Sequence, residues 1–140
     1  MILLDSNVLI YAINADSPKI QEAQKFINEN KENLCVAHQN IFETLRVLTH
    51  PKFPNPMTSK SAIEAISAIT DHLVNITPTF ETKFVALELL KKYEIISDNI
   101  FDTYLASTML TNDVSIIATD NEKYFSVFEE IKIINPFRKV

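Results

Sequence analysis

The sequence has no glycine, no tryptophan and a single cysteine among its 140 residues. Without glycine, neither a P-loop nor a G-x-G-x-x-G dinucleotide turn can form, since both need backbone that only glycine allows. The lone cysteine, Cys35, excludes an internal disulfide and points to a reducing compartment, the cytoplasm. Its setting in Leu34-Cys35-Val36-Ala37 reads as core rather than as a reactive thiol. No apolar run approaches the ~20 residues that cross a bilayer. The start, Met1 to Asp5, lacks both the basic and the long apolar region of a signal peptide, so no membrane contact is expected. A basic excess is missing too: the formal net charge is −5, which argues against binding nucleic acid by bulk positive charge. That deficit leaves a nuclease open, because a carboxylate cluster that takes up divalent cations is itself acidic.

What is present is an ordinary globular composition, 46% hydrophobic and 22% charged, with no change along the chain and no repeat. One domain over residues 1–140 is the expectation. Short continuous apolar runs at Ile2-Leu3-Leu4, Leu34-Cys35-Val36-Ala37, Leu73-Val74-Asn75-Ile76, Ser115-Ile116-Ile117-Ala118-Thr119 and Ile131-Lys132-Ile133-Ile134 read as buried strands. Between them, helical patterns run from Asn7 to Ala15, from Ser17-Pro18 with Ser as N-cap, from Asn40 to Thr49, from Thr58 or Ser59, from Phe80 to Tyr93 and from Ser97 to Leu110. Strands alternating with helices imply a three-layer α/β/α sandwich around a mainly parallel sheet of about five strands. With no glycine, its turns should be made with Asn, Asp, Ser and Pro.

Four acids stand in apolar or helical settings where solvation does not explain them. Asp5 ends the first strand, Glu43 lies in Ile41-Phe42-Glu43-Thr44-Leu45, Asp102 in Ile100-Phe101-Asp102-Thr103-Tyr104, and Asp120 ends the fourth strand. Ligands in such folds collect outside the carboxyl ends of the strands, where Asp5 and Asp120 should both project. Buried carboxylates need a cation, and few basic residues lie near these in sequence. An all-oxygen site suits Mg2+ or Mn2+, as one or two ions, rather than zinc. His38, His50 and His72 have no metal-ligand spacing and read as surface or loop residues. Each acid also has a plainer reading: Asp5 and Asp120 as helix caps, Glu43 and Asp102 as solvated helix residues. Phe42, Phe101 and Tyr104 fall within apolar helical stripes and are expected in the core.

In this order and at these intervals, the segments resemble the PIN-domain family, and most closely its VapC-type toxins. Leu3-Leu4-Asp5-Ser6-Asn7-Val8 is similar to the family's opening strand and first acid, and Asn40 to Pro51 to the helix that carries the second. Phe101 to Ser107 is similar to the segment with the third, and Ala118 to Phe125 to the strand end with the fourth; Asn135-Pro136 also fits. The resemblance implies a metal-dependent endoribonuclease whose metal ligands and catalytic acids are Asp5, Glu43, Asp102 and Asp120. It also implies a homodimer inhibited by a small antitoxin protein. Ser6 stands where a Thr is usual and keeps the hydroxyl. Ser6, Asn7 and Thr119 would orient the ligands, or serve as local caps and strand residues. Arg46 and Lys123 are candidates for contact with RNA. Asp98, one turn before Asp102, is a candidate fifth acid or a helix-start residue favoured by the dipole.

Two other readings compete. A phosphatase of the haloacid-dehalogenase type also begins with a strand and an Asp, but it expects an acid where Asn7 stands and a Gly-Asp pair that a chain without glycine lacks. Within the PIN reading, a non-toxin RNA-processing nuclease and a catalytically inactive binding module remain alternatives.

Overall fold

The computed structural model describes residues 1–138. In chain order the elements are β1 (Ile2–Leu4), α1 (Ser6–Ile13), α2 (Ile20–Asn30), a 3-10 turn (Lys31–Asn33), β2 (Leu34–Ala37), α3 (His38–Leu48) and α4 (Ser59–Thr70). They continue with β3 (Val74–Ile76), α5 (Thr82–Lys92), α6 (Asn99–Thr111), β4 (Ile116–Ala118), α7 (Glu122–Phe125) and β5 (Lys132–Ile134). The strands form one sheet in the order β3-β2-β1-β4-β5. Every pairing is parallel, so the sheet is parallel throughout, a stricter form of the sandwich expected from the sequence.

The pleat sends alternate side chains to two separate cores. Ile2, Leu4, Leu34 and Val36 pack against Val8 and Leu9 of α1 and Ala23 and Ile27 of α2. Leu3, Cys35 and Ile117 face the other way, onto Leu105, Ala106 and Met109 of α6 and onto Phe125 and Phe128. Burial on both faces is why these strands are continuous apolar runs rather than alternating ones. A smaller cluster of Leu48, Ala62 and Ile66, joined by Ile10, Ile13 and Leu45, seats α4 against α1 and α3. Cys35 is wholly inside, and its burial pushes the thiol up to about 11, consistent with an inert core residue.

Several boundaries differ from the sequence reading for local reasons. α2 starts at Ile20 rather than at Ser17-Pro18, because the Ser17 hydroxyl accepts the Lys19 N–H and closes a separate turn. α5 is buried through Thr82, Ala86 and Leu89, leaving Phe84 and Leu87 exposed. Small residues let α5 lie close along α6, where the Thr82 and Thr111 hydroxyls meet at 2.7 Å. Ile63 of α4 is likewise on the outside, and the four-residue helix α7 has too few residues to show a pattern in sequence.

Among the described residues, four occupy the left-handed backbone region that glycine usually fills: Asn55, Glu94, Ser97 and Asp113, with φ between 52° and 60°. Glu94 and Asp113 each follow a helix. The Ile95 and Glu94 N–H groups bond back to Leu90 and Lys91 carbonyls, and those of Val114 and Asp113 to Met109 and Leu110. Both ends are Schellman motifs with a β-carbon where glycine is favoured. Replacing Glu94 or Asp113 by Gly should raise the unfolding free energy by about 0.5–1 kcal/mol each, the left-handed strain less the added freedom of the unfolded chain. Urea titration checks this, and an unchanged or lower midpoint would show that the strain is absorbed elsewhere.

Candidate functional site

The strand order reverses between β1 and β4, and the crevice this opens lies at the carboxyl ends of the two strands. Asp5 directly follows β1, its own N–H bonding across to the Ala118 carbonyl of β4 at 3.0 Å. Its side chain is buried and accepts four hydrogen bonds. Oδ1 receives the Ser6 N–H at 2.8 Å and the Asn40 amide at 3.3 Å; Oδ2 receives the Thr119 hydroxyl at 2.7 Å and the Asn7 amide at 3.3 Å. The short pair fixes the carboxylate plane, and the long pair are the contacts a cation could displace. Asp5 therefore also caps α1 through Ser6, the plainer of its two sequence readings.

The supporting residues are tied to one another. The Asn7 side chain donates to Thr119 at 3.0 Å and accepts the Asp120 N–H at 3.1 Å. Thr119 is wholly buried and also accepts the Asn121 N–H at 3.0 Å. Asn40 was not singled out in the sequence. It is fully buried, accepts the Ala37 N–H at 3.1 Å at the start of α3, and donates to both Asp5 and the Ser6 hydroxyl. A signal existed, since Asn40 lies one turn before Glu43 and shares its helix face.

Asp5, Glu43 and Asp102 come together. They line one cavity of about 160 Å³ with Ser6, Arg46 and Asn121, and the Ser6 hydroxyl donates to Glu43 at 3.4 Å. All three carboxyls are held above their ordinary range. Burial is the main cause for Asp5, opposed by the bonds from Thr119 and Ser6. Burial and then the Asp5 charge raise Glu43. Burial, Asp5 and then Asp98 push Asp102 up to about 6. None of the three has an ion-pair partner among the described residues. As the side chains stand, no three acidic, His or Cys groups among the described residues converge closely enough to enclose an ion.

Asp120 is not among the residues that line this cavity. Its carboxylate is paired with Lys19 and accepts from the Tyr11 hydroxyl at 3.1 Å and the Asn135 amide at 3.3 Å. Burial would raise its pKa, but the bonds from Lys19, Asn135 and Tyr11 win and lower it. The Lys19 ammonium lies 5.0 Å from the Tyr11 ring and 5.3 Å from that of Phe137. Asp120 thus links Asn135 to Tyr11 of α1, and the next residue, Asn121, lines the cavity. Sequence reasoning could not separate the two neighbours, because nothing in the strand-end pattern says which one turns inward.

Asp98 is exposed at the start of α6 and reaches Asp102 only through its charge. Arg46 lines the cavity, whereas Lys123 sits exposed on α7, next to Tyr124, which does line it. His38, His50 and His72 are all exposed, as expected. Phe42 and Phe101 are not core residues: they are 67% and 70% exposed, and Tyr104 is half-buried. No element among the described residues covers Phe42 or Phe101.

A family model described as PIN domain matches residues 2–131. The chain belongs to the PIN-domain family. Solved structures agree on the fold of this PIN domain. VapBC2 from Rickettsia felis bound to a DNA fragment from its promoter aligns with a TM-score of 0.72 at 20% identity, covering 96% of this chain and 98% of that one. Mycobacterium tuberculosis VapC20, described as a sarcin–ricin loop cleaving toxin, gives 0.71 at 13%, covering 94% and 98%. VapBC-1 from nontypeable Haemophilus influenzae gives 0.69 at 19%, covering 99% and 100%. No curated protein matches the sequence significantly.

A carboxyl whose pKa is raised by folding takes up a proton as the chain folds. The stability this gives is complete below the ordinary value near 3.8 and is lost as pH rises through about 6. Metal-free protein should therefore gain stability on acidification from pH 7 to 5.5, and Asp102→Asn should gain less. At pH 7 in EDTA, that variant should melt about 3–5 °C above the parent, the shift of ~1 kcal/mol in a domain of this size. Scanning calorimetry checks both, and a variant melting no higher would show that the three charges are not in conflict.

Proposed function

We propose that this PIN domain is a metal-dependent endoribonuclease and the toxin of a type II toxin–antitoxin pair. The observation that carries the nuclease reading is the meeting of Asp5, Glu43 and Asp102 in one cavity without a paired cation among the described residues. Carboxylates that raise one another's pKa and supply only oxygen donors fit Mg2+ or Mn2+, as one or two ions. Such ions, when bound, supply an activated water and neutralise charge on the leaving oxygen of a phosphodiester.

The protein's own part is to hold these groups in place. Ser6 and Thr119 lock the Asp5 carboxylate, Ser6 reaches on to Glu43, and Asn7 and Asn40 fix the loops that carry them. Asn121 contributes a neutral oxygen donor beside the acids. Arg46 faces the same cavity and a second one that it shares with His50 and Lys52. This basic margin suits the phosphates that flank the cleaved bond; Lys123 is a more distant candidate for the same task.

The toxin reading rests on likeness to structures described as VapC toxins and VapBC pairs. A protein antitoxin and a second copy of this chain are the partners it calls for. The exposed Phe80, Phe84 and Leu87 on and just before α5 are the kind of surface such partners cover. No helix among the described residues is long and apolar enough to cross a membrane, and the single buried Cys35 suits the reducing cytoplasm.

Asp5→Asn keeps the side-chain shape and removes a ligand charge. Cleavage of RNA in Mn2+ should fall at least about 100-fold, while the far-UV circular dichroism stays unchanged. EDTA should silence the parent to the same extent, and single-stranded DNA of the same sequence should be cut far more slowly. Undiminished cleavage by the variant would defeat the site assignment.

A further inference from the structure

Beside the acid cavity lies a second, of about 320 Å³, lined mainly by apolar groups and including His38, Gln39, Pro78, Phe101, Tyr104 and Thr108. It shares its walls with the acid site. α3 gives Gln39 to one cavity and Glu43 to the other, about one helical turn apart, about 6 Å along the axis. α6 gives Phe101 to one and Asp102 to the other as sequence neighbours. The Gln39 amide joins the two helices by donating to the Phe101 carbonyl at 3.1 Å. Phe101 is left 70% exposed at this edge, and Phe42, on the same face of α3 as His38 and Gln39, is 67% exposed.

We propose that this cavity takes up one unpaired nucleobase of the substrate, next to the cleaved phosphate, with Phe101 as its stacking face. The inference rests on the ribonuclease reading and assigns a specificity subsite to it. Exposed aromatic rings bordering a phosphodiester site match the way proteins hold single-stranded nucleic acid, where each base stacks on a side chain. The polar groups around them suit a base rather than an aliphatic side chain. His38 is exposed, the Tyr104 hydroxyl has no hydrogen-bond partner among the described residues, and Gln39 keeps its amide oxygen free for the edge of a base. With Arg46 on the opposite side of the acids, the RNA strand would run from a basic margin, across the carboxylates, to an aromatic seat.

The test is a cycle between protein and substrate. Rates are measured for the parent, Phe101→Ala and Phe101→Trp on a single-stranded RNA oligonucleotide and on the same strand with an abasic residue beside the cleaved phosphate. Phe101→Ala should lower kcat/KM about 10-fold or more, chiefly through KM, and Phe101→Trp should restore it. The abasic strand should cost the parent a similar factor and cost Phe101→Ala little further. An unchanged Mn2+-induced rise in Tm would show that fold and metal site are intact. Additive losses, or no loss on Phe101→Ala while the parent cleaves, would overturn the subsite and leave the nuclease standing. A dimer that Phe101→Ala converts to monomer would also overturn it, assigning the face to a second copy.

If the parent cleaves no RNA, the nuclease reading fails and the subsite is judged by binding. The chain has no tryptophan, so Phe101→Trp is a single reporter. Its fluorescence should be quenched by the single strand and not by a fully abasic strand. Equal quenching by both, or none by either, would overturn the proposal.

Discussion

Everything at this site depends on one buried carboxylate. The Asp5 oxygens tie together α1 through Ser6 and Asn7, α3 through Asn40, and the end of β4 through Thr119, while its backbone continues β1. Burying an unpaired carboxylate costs several kcal/mol, and hydrogen bonds to a charged group each return about 1.5–3 kcal/mol. Here they do not return enough, since the pKa of Asp5 is still raised. The remaining imbalance is what a bound cation would remove, and it falls at the one point of the sheet where ligand-binding crevices form.

The two strand-end aspartates show how a neighbour decides what a carboxylate does. Asp120 lies at the same end of the sheet as Asp5, yet it has Lys19 beside it and two further donors, and its pKa is lowered. A carboxylate satisfied in this way holds structure together; here it links Asn135 to Tyr11 and Lys19. Among the described residues Glu43 and Asp102 have no such partner, and burial together with the Asp5 charge holds both above their ordinary range. That difference divides the four acids into a proposed metal site of three and an anchor of one.

Much of this was legible in the sequence, and the limits have physical reasons. The strands could be read because the central ones are apolar on both faces and the edge strands β3 and β5 still carry short Val/Ile runs, and the parallel sheet followed from the helices between them. Asp5 could be placed because a charged residue ending an apolar strand has one direction to go. Asp120 followed the same rule, but its pairing with Lys19, distant in sequence, could not be read from that rule. Asn40 escaped notice because a neutral polar residue in a helix carries no charge to demand a partner. Phe42 and Phe101 read as core from their periodicity, but that period says which residues share a face and not what covers it. Left-handed Glu94 was equally hidden, since its strain comes from the helix ending there and not from its own chemistry.

The central proposal is that Asp5, Glu43 and Asp102 are the metal ligands while Asp120 stays paired with Lys19. Anomalous diffraction at the manganese edge, from crystals grown in Mn2+, tests it most directly. The account predicts a peak in the cavity bordered by those three acids and Asn121, with the Lys19–Asp120 pair intact beside it. A peak coordinated by Asp120, with Lys19 displaced, would contradict it.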